Sequence, residues 1–400
     1  MADQQTDILI VGGGLAGATL MLELQDLGYK TLLVESKPFS DKVNPDFDAR
    51  TIALSPASKT ILNMLGVWGI LQEYATPISM IHVSDQHRFG ASRLWGDEAN
   101  PLGYVVEIQY INRALHQLLD KNQIVAPASV KALSDDHKTV TVMTESGEIT
   151  IAAQLIVAAD GTDSKVRQLC HLTAQTKTYN HYALVANVAL QKAHDYKAYE
   201  RFTAHGPLAL LPMQGNKMSL VWAVPPEQAQ VLTGLKDDLF LKELQRAFGY
   251  RLGRFTQVGK RFTYPLRQVL MPQQTQWPVV FVGNAAHTLH PVAGQGFNLG
   301  IRDVAVLAQC IAHHGLNASM LERYMQLRQH DQKMIARFTD GLIQLFTTRL
   351  PGVSLLRNIG LIALDNSTVL KNILAHYARG YGGVIPDLVC EIPLSKQEFL

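Results

Sequence analysis

The spacing of apolar and polar positions changes character three times along the chain. Ile8 to Val11 is a short unbroken apolar run, and from Leu15 to Leu27 apolar residues recur at helical spacing. Gly28 ends that helix, and Thr31–Val34 is a second β run closing on Glu35. Strand, glycine turn, helix and strand in that order predict a parallel βαβ unit. Two more buried strands are expected in "LIVAAD" (Leu155–Asp160) and "VVFVG" (Val279–Gly283), each running into a glycine-bearing turn. Between these two, "YALVANVAL", "YERFTAHGPLALLPM" and "KMSLVWAVP" read as strands, with a hairpin turn at "MQGNKM" (Met213–Met218). From Asp303 to about Gly380 the pattern is helical. The architecture expected is a nucleotide-binding α/β domain interrupted by a mostly β insert, then a helical C-terminal region.

Composition narrows this picture only a little. The 400 residues are 47% apolar and 18% charged, with net charge +2. That gives room for two or three domains and no reason to expect nucleic acid as a partner. Cys170, Cys310 and Cys390 are far apart and form no C-x-x-C pair, so buried or inert thiols are expected. Neither a signal peptide nor an apolar run of about 18 residues is evident, which predicts a cytoplasmic protein without a membrane span. Zinc-type Cys/His spacing is also missing, so no metal is expected.

The chemistry lies in the three turns. Gly12-x-Gly14-x-x-Gly17, with Gly13 and Ala16 inside it, follows a strand, opens a helix and has Glu35 at the end of the next strand. Those glycines allow a tight turn and close approach to a pyrophosphate, while the carboxylate accepts from ribose hydroxyls. An acid here, rather than a base, fits the unphosphorylated ribose of FAD or NAD. The second turn, Asp160-Gly161-x-x-Ser164-x-x-Arg167, reads either as a second cofactor loop or as an ordinary strand-to-helix turn capped by Ser164. In the third, Gly294-Gln295-Gly296-Phe297-Asn298 opens a helix behind "VGNAAHTLHPVA", which begins with Val282, Gly283 and Asn284. A glycine-flanked helix N-terminus offers unpaired N–H groups to the N1–C2=O edge of a reduced flavin. One extended cofactor would then explain glycine loops at both ends of the chain.

With these motifs in place, the chain resembles flavoprotein monooxygenases of the p-hydroxybenzoate hydroxylase fold. "VGGGLAG" with Glu35, "AADGTDSKVR" and "VGNAAHTLHPVAGQGFNLG" match that family's three fingerprints in order. "FDARTIAL", "ERFTAHGPLALLPM", "HPVAGQGFNLGIRD" and "RNIGLIALD" are similar to the ubiquinone-biosynthesis hydroxylases, those acting on 2-polyprenyl-6-methoxyphenol most of all. The resemblance implies a Rossmann-type FAD-binding domain (1–75, 101–175 and 267–345), a β-rich substrate domain (76–100 and 176–266) and a helical region (346–400). It implies FAD as cofactor, NAD(P)H and O₂ as co-substrates, and hydroxylation of a polyprenyl phenol ring.

Residue by residue, Gly12, Gly14, Gly17 and Glu35 would bind the ADP half. Arg50 and Arg113 would lie near the flavin and its phosphates, and Asp160 and Gly161 would serve FAD and NAD(P)H. Gly294 to Asn298 would lie beneath the flavin. Asn284 departs from the family, which has Asp there, and Asn keeps one acceptor oxygen but loses the charge. The family's chemistry resides in the cofactor, so no protein nucleophile is expected. Pro291, through its carbonyl, and His287 are the weak catalytic candidates, while His287 and His290 equally fit structural roles.

The insert speaks to substrate. Its "GPLALLPM" and "SLVWAV" stretches are almost wholly apolar, which suits an uncharged phenol around Leu210, Pro212 and Trp222, or simply a domain core. Residues 346–382 carry Arg349, Arg357, Lys371 and Arg379 against Asp365, with Leu370, Ile373, Leu374 and Tyr377 at helical spacing. That stripe fits packing on the flavin domain, or docking to a membrane surface or to a partner in a ubiquinone-synthesis complex. Alternatives within the class are another ring position or another apolar phenol. A different class is a non-catalytic flavin- or lipid-binding scaffold. The halogenase signature W-x-W-x-I-P is missing, since "VWAVPP" has one Trp.

Overall fold

The computed structural model describes residues 2–39, 50–290, 294–347 and 352–395. Strand β1 (Gln4–Val11) leads into helix α1 (Leu15–Leu24), a single tight turn over Gln25–Leu27 and strand β2 (Thr31–Val34). Gly28 sits in the left-handed conformation (φ 67°) that lets the chain reverse there. β3 (Thr51–Leu54) and α2 (Pro56–Met64) follow, the latter capped by Ser55, whose side chain accepts from the Ser58 N–H. Next come β4 (Met80–Asp85), β5 (Ala91–Trp95), β6 (Tyr104–Glu107), α3 (Ile108–Leu118), β7 (Gly147–Ala158) and α4 (Lys165–Leu169).

The insert contributes β8 (Gln175–Leu190), β9 (Lys197–Phe202), β10 (Pro207–Met213), β11 (Lys217–Val224), α5 (Pro226–Gly234), α6 (Asp237–Phe248) and β12 (Phe262–Leu270). After β13 (Val279–Phe281) the chain is helical: α7 (Gln295–His314), α8 (Ala318–Thr347), α9 (Val353–Asn366) and α10 (Thr368–Ala378). The helical stretch thus begins at Gln295, within the Gly294–Asn298 segment expected to open it.

Two large sheets divide the work. In the first, β13, β7, β1 and β2 lie side by side and parallel, so three strand ends open on one edge. Ile8, Ile10, Leu33, Leu155 and Val157 pack one of its faces against α1, α3 and α7. The second sheet runs β12, β8, β11, β10, β9, β4, β5, antiparallel except for β9 beside β4. One face of it is sealed by α5 and α6 through Leu208, Leu220, Phe240, Leu244 and Phe248. No helix among the described residues is long and apolar enough to cross a membrane.

Glu23 breaks the pattern of the first core. It is 5% exposed on α1 and neither carboxylate oxygen has a partner among the described residues. Burial alone holds its pKa well above the usual carboxylate range, so it stays protonated in the fold. The unfolded chain ionises it at its ordinary pKa, so the fold loses stability as pH rises through and above that range. Glu23→Leu is therefore expected to raise the unfolding midpoint, by about 1–3 kcal/mol near neutral pH. The gain should be larger at pH 8 than at pH 5 in matched thermal melts. Equal gains at both would show that the carboxyl is not the penalty.

Candidate functional site

The three glycine loops meet. Gly12 has φ 107°, and a Cβ there would stand 2.5 Å from the Ala159 carbonyl oxygen, so the first loop lies directly on the backbone before Asp160. A Cβ on Gly17 would come within 1.9 Å of the Gly12 oxygen, which only a bare α-carbon avoids. At the third loop, Gly283 sits between helices: a Cβ there would be 3.1 Å from Ala16 of α1, and one on Gly300 of α7 would be 3.2 Å from Gly283 itself. The second and third loops are also tied by side chains. Arg167 donates to the Ala285 oxygen (2.9 Å) and the Thr162 oxygen (2.8 Å), and Thr162 and Thr288 share a hydroxyl hydrogen bond of 2.8 Å. Ser164 caps α4 by accepting from the Arg167 N–H at 3.0 Å.

Several features around this junction fit a bound dinucleotide. The N-caps of α1 and α7 are Gly14 and Gly294, and neither helix has a side-chain cap, the arrangement seen where a helix N-terminus faces an anion. A Cβ at Gly14 or Gly296 would meet no atom of the described residues within 4 Å. Glu35 is held beside the first loop, accepting from Gly13 N–H at 2.6 Å and Lys37 N–H at 2.9 Å. Asp160 has one buried oxygen, Oδ1, with no partner among the described residues. Burial pushes its carboxyl above the usual range, against hydrogen bonds from Ser164 and the Val166 N–H. An orphan acceptor at a glycine crossing is what a ribose or nicotinamide donor would satisfy. Asn284 is exposed in the Gly283–Ala285 turn, with its side chain unpaired among the described residues.

Two residues that the motifs do not contain complete the first loop. Phe39 and His116 stack with ring centroids 3.8 Å apart, and His116 Nε2 lies 3.3 Å from the Gly13 oxygen. A Cβ on Gly13 would strike Phe39 at 2.7 Å. Arg113, one turn earlier on α3, stands beside the stacked pair Tyr74 and Tyr110. Arg50 is exposed, with its guanidinium 6.0 Å from the Tyr264 ring centroid. No short-range signal links Phe39 or His116 to a glycine loop; both arrive through tertiary packing.

Asn298 holds the third loop rather than pointing into it. Its Oδ1 accepts from the Ser55 N–H and the Ser58 hydroxyl, both at 2.8 Å, and its Nδ2 donates to the oxygens of Ala53 (2.9 Å) and Gly294 (2.8 Å). All of its hydrogen-bonding capacity is spent bracing α7 against β3 and α2. One turn on, Asp303 is fully buried, ion-paired with Arg328 Nε at 2.6 Å and hydrogen-bonded to His287 Nε2. Burial alone would raise the Asp303 pKa, but Arg328 and His287 together hold it down to about 2. His287 is thus a buried strut, and its ring also lines a 380 Å³ cavity with Gln268, Gln332 and Lys333. His290 lies edge-on to Tyr179 at 5.2 Å, and burial followed by the nearby His181 lowers its pKa to about 4, which keeps it neutral. Pro291 lies outside the described residues, and those residues hold no cluster of His, Cys, Asp or Glu suited to a metal.

The substrate residues need correction. Leu210 and Trp222 are 0% and 2% exposed and belong to the core beneath α5 and α6. Pro212 shares their face, opposite the buried Met218. Strand alternation is the reason: neighbours on β10 and β11 point to opposite sides, so Ala209, Leu211, Ser219 and Val221 occupy the other face. That face leads to the third loop, since Leu211 clusters with Ala53 and a Cβ on Gly294 would touch Ala53 at 3.4 Å.

Fold and loops together define a flavin-binding protein, and the comparisons agree: residues 5–339 match the FAD binding domain family, to which the chain belongs. It is 34% identical to ubiquinone hydroxylase UbiL of Rhodospirillum rubrum over 98% of this chain and 94% of that one. Against 3-demethoxyubiquinol 3-hydroxylase of Escherichia coli the figures are 31% identity, 95% of this chain and 100% of the relative. Among solved structures, p-nitrophenol 4-monooxygenase of Pseudomonas putida superposes with TM-score 0.77 at 17% identity, covering 95% and 99% of the two chains.

Asn298→Ala is expected to strip the brace, leaving the Ser55 N–H and the Gly294 end of α7 without partners. About 2–4 kcal/mol should be lost from the holoprotein, with FAD retained at least tenfold less tightly in equilibrium dialysis. Wild-type retention would show that the brace does not hold the flavin loop.

Proposed function

We propose that this chain is an FAD-dependent monooxygenase that hydroxylates the ring of a polyprenyl phenol in ubiquinone synthesis, consuming NAD(P)H and O₂. The observation that carries this reading is the sheet face turned toward the third loop. Ala209, Leu211, Ser219 and Val221 in it are all uncharged and three of them apolar, a lining that suits a neutral, lipophilic ring. The names of the relatives support the same substrate class.

The first and second loops, with Glu35, Asp160, Gly161, Gly12 to Gly14, Ala16 and Gly17, would hold the dinucleotide. Gly283, Asn284, Gly294, Gln295 and Gly296 would flank the ring system, with Arg50 and Arg113 as cations toward the phosphates. Bound FAD supplies the redox chemistry: it takes hydride from NAD(P)H and activates O₂. The chain's own part would be to hold the ring system at the α7 N-terminus, whose N–H groups would stabilise negative charge on the flavin edge, and to keep water from the apolar sheet face.

A second reading concerns the ring position. The sequence motifs favour 2-polyprenyl-6-methoxyphenol, whereas the name of the Escherichia coli relative places its hydroxylation at position 3 of demethoxyubiquinol. Purified holoprotein incubated with NAD(P)H, O₂ and a short-chain 2-prenyl-6-methoxyphenol should show substrate-stimulated NAD(P)H oxidation and one oxygen added to the ring. NMR of the product would assign the carbon. FAD binding without turnover on this or the other ring intermediates would favour the scaffold reading.

The C-terminal helices support membrane contact. α9 and α10 leave Leu355, Leu356, Ile359, Val369, Leu370 and Ile373 between 48% and 69% exposed. Their inner sides are anchored: Asn358 accepts from the Gly90 N–H at 2.7 Å, and Leu374 joins the cluster around Leu211. An outward apolar face beside Lys371 fits a peripheral helix pair on an anionic bilayer, where the substrate's isoprenoid tail resides. The protein should float with anionic vesicles, and Leu355→Asp/Ile373→Asp should remain in the soluble fraction while keeping its FAD. Identical behaviour of the two proteins would remove the membrane role and leave the face to a protein partner.

A further inference from the structure

Glu200, in the "ERFTAHG" stretch, occupies a position that the flavin chemistry does not explain. On β9 it pairs with Val83 of β4 on one side and Ala209 of β10 on the other. Ala209 pairs with Val221, and Val221 with Val185. Directly paired residues share a face, so one row across five strands reads Val83, Glu200, Ala209, Val221, Val185, with a single ionisable group in it. Glu200's neighbours on the strand confirm which face this is. Tyr199 turns the other way, edge-on to Phe248 at 5.3 Å, and Arg201 donates to the Ala247 oxygen at 3.2 Å. Ala198 and Phe202 share the Glu200 face and bracket it between two apolar clusters. One holds Leu211, Met213 and Ala53, the residue against Gly294; the other holds Leu361 of α9 and Leu342 of α8.

The carboxyl is half-buried and has no hydrogen bond or ion pair among the described residues. Charges on the elements around it are committed elsewhere or face away. Asp85 of β4 is paired with Arg357 of α9, Arg93 of β5 with Asp365 of α9, and Asp340 of α8 with Lys177 of β8. His82 of β4 contacts Arg251 and lies near Tyr199, on the opposite face. Other titratable groups of those elements include His181 of β8, whose ring meets the oxygens of Tyr179 and His205, Lys197 of β9, paired with Asp195, Lys217 of β11, and Lys371 and His376 of α10. None of them perturbs Glu200: burial alone pushes its pKa up to about 7. A carboxyl in such a setting is neither a structural ion pair nor a solvated surface acid.

We propose that Glu200 is the base that takes the hydroxyl proton of the phenol, from the apolar sheet face that meets the flavin loop. This rests on the phenol reading above. The step is a proton transfer: the substrate O–H bond breaks, its electron pair stays on oxygen as phenolate, and the proton forms the neutral Glu200 carboxylic acid. The phenolate pushes electron density into the ring, which favours attack on electrophilic oxygen. When the hydroxylated product is reprotonated, the proton returns and the carboxylate is regenerated. A base works best with a pKa near the working pH, and burial without a partner is how a carboxyl reaches one.

The test pairs Glu200→Gln, close in shape, with Glu200→Asp, which keeps the acid. In the wild type, kcat/KM for a prenyl phenol should rise with one ionisation near pH 7 and level off above it. E200Q should lose that rise and about 10²–10⁴-fold in rate, with E200D recovering part of both. A separate readout needs no turnover: the absorbance of 4-nitrophenol bound to the resting holoenzyme should report phenolate formation that follows the same ionisation in the wild type and not in E200Q. Melting curves supply a third. Because the folded carboxyl holds its proton up to about pH 7, the wild type should lose stability as pH rises from about 5 to 7, and E200Q should not. An E200Q enzyme with wild-type rate and pH profile would overturn the assignment while leaving the hydroxylase reading intact. A wild type that neither binds nor hydroxylates any phenol would overturn both.

Discussion

Everything in this fold depends on backbones that approach one another without side chains between them. The oxygen of Ala159 fills the place of a Gly12 side chain, Gly12 fills that of Gly17, and Gly283 lies between Ala16 and Gly300. Parallel strands alone bring β1, β7 and β13 to one edge, but they do not bring the loops beyond them into contact. The glycines do, by letting α1 and α7 close to within the thickness of bare main chain. Two helix N-termini then converge on one region. A long cofactor with a charged middle and a ring at one end can span between them.

The third loop is held in place by buried charge as well as by packing. Asp303 and Arg328 are fully buried, Arg328 also pairs with Asp331 at 2.8 Å, and Arg302 reaches Asp331 at 3.4 Å. Two acids stand against two guanidiniums in this network, and the pairing offsets part of the desolvation cost. The chain returns to this network after α10. A Cβ on Gly380 would press on Ser55 and Arg302, one on Gly383 would press on Asp331, and the Ala57 N–H donates to the Arg379 oxygen at 3.1 Å. The segment that follows α10 is therefore packed against the residues that brace the start of α7.

The Rossmann unit, the three loops and the hairpin of the insert were legible because each depends on local rules: period, turn glycine, cap. Ser164 illustrates this, since an Asp-Gly turn followed by Ser at the right offset was enough to place the cap that the structure contains. What was not legible depends on which side of a strand or helix meets which neighbour. The apolarity of Leu210 and Trp222 does not distinguish the face under α6 from the face toward Gly294. Leu370, Ile373, Leu374 and Tyr377 shared one helical stripe in sequence, but α10 turns Leu374 inward and leaves the other three more than 40% exposed. Phe39 and His116 belong to no motif, and only the packing of α3 brings them over Gly13.

Glu23 and Glu200 show why burial of an acid needs its surroundings read before its role is assigned. Both lack partners among the described residues, and burial raises the pKa of both. Glu23 faces a closed core of Leu20, Leu24 and their neighbours, where no ligand can reach it and the carboxyl is a cost. Glu200 lies instead on a sheet face that runs from Ala53 of β3, beside Gly294 of the third loop, to the inner side of the C-terminal helices. The apolar lining of this face suits a greasy ring, and of the two carboxyls on it Asp85 is paired with Arg357, whereas Glu200 has no partner among the described residues.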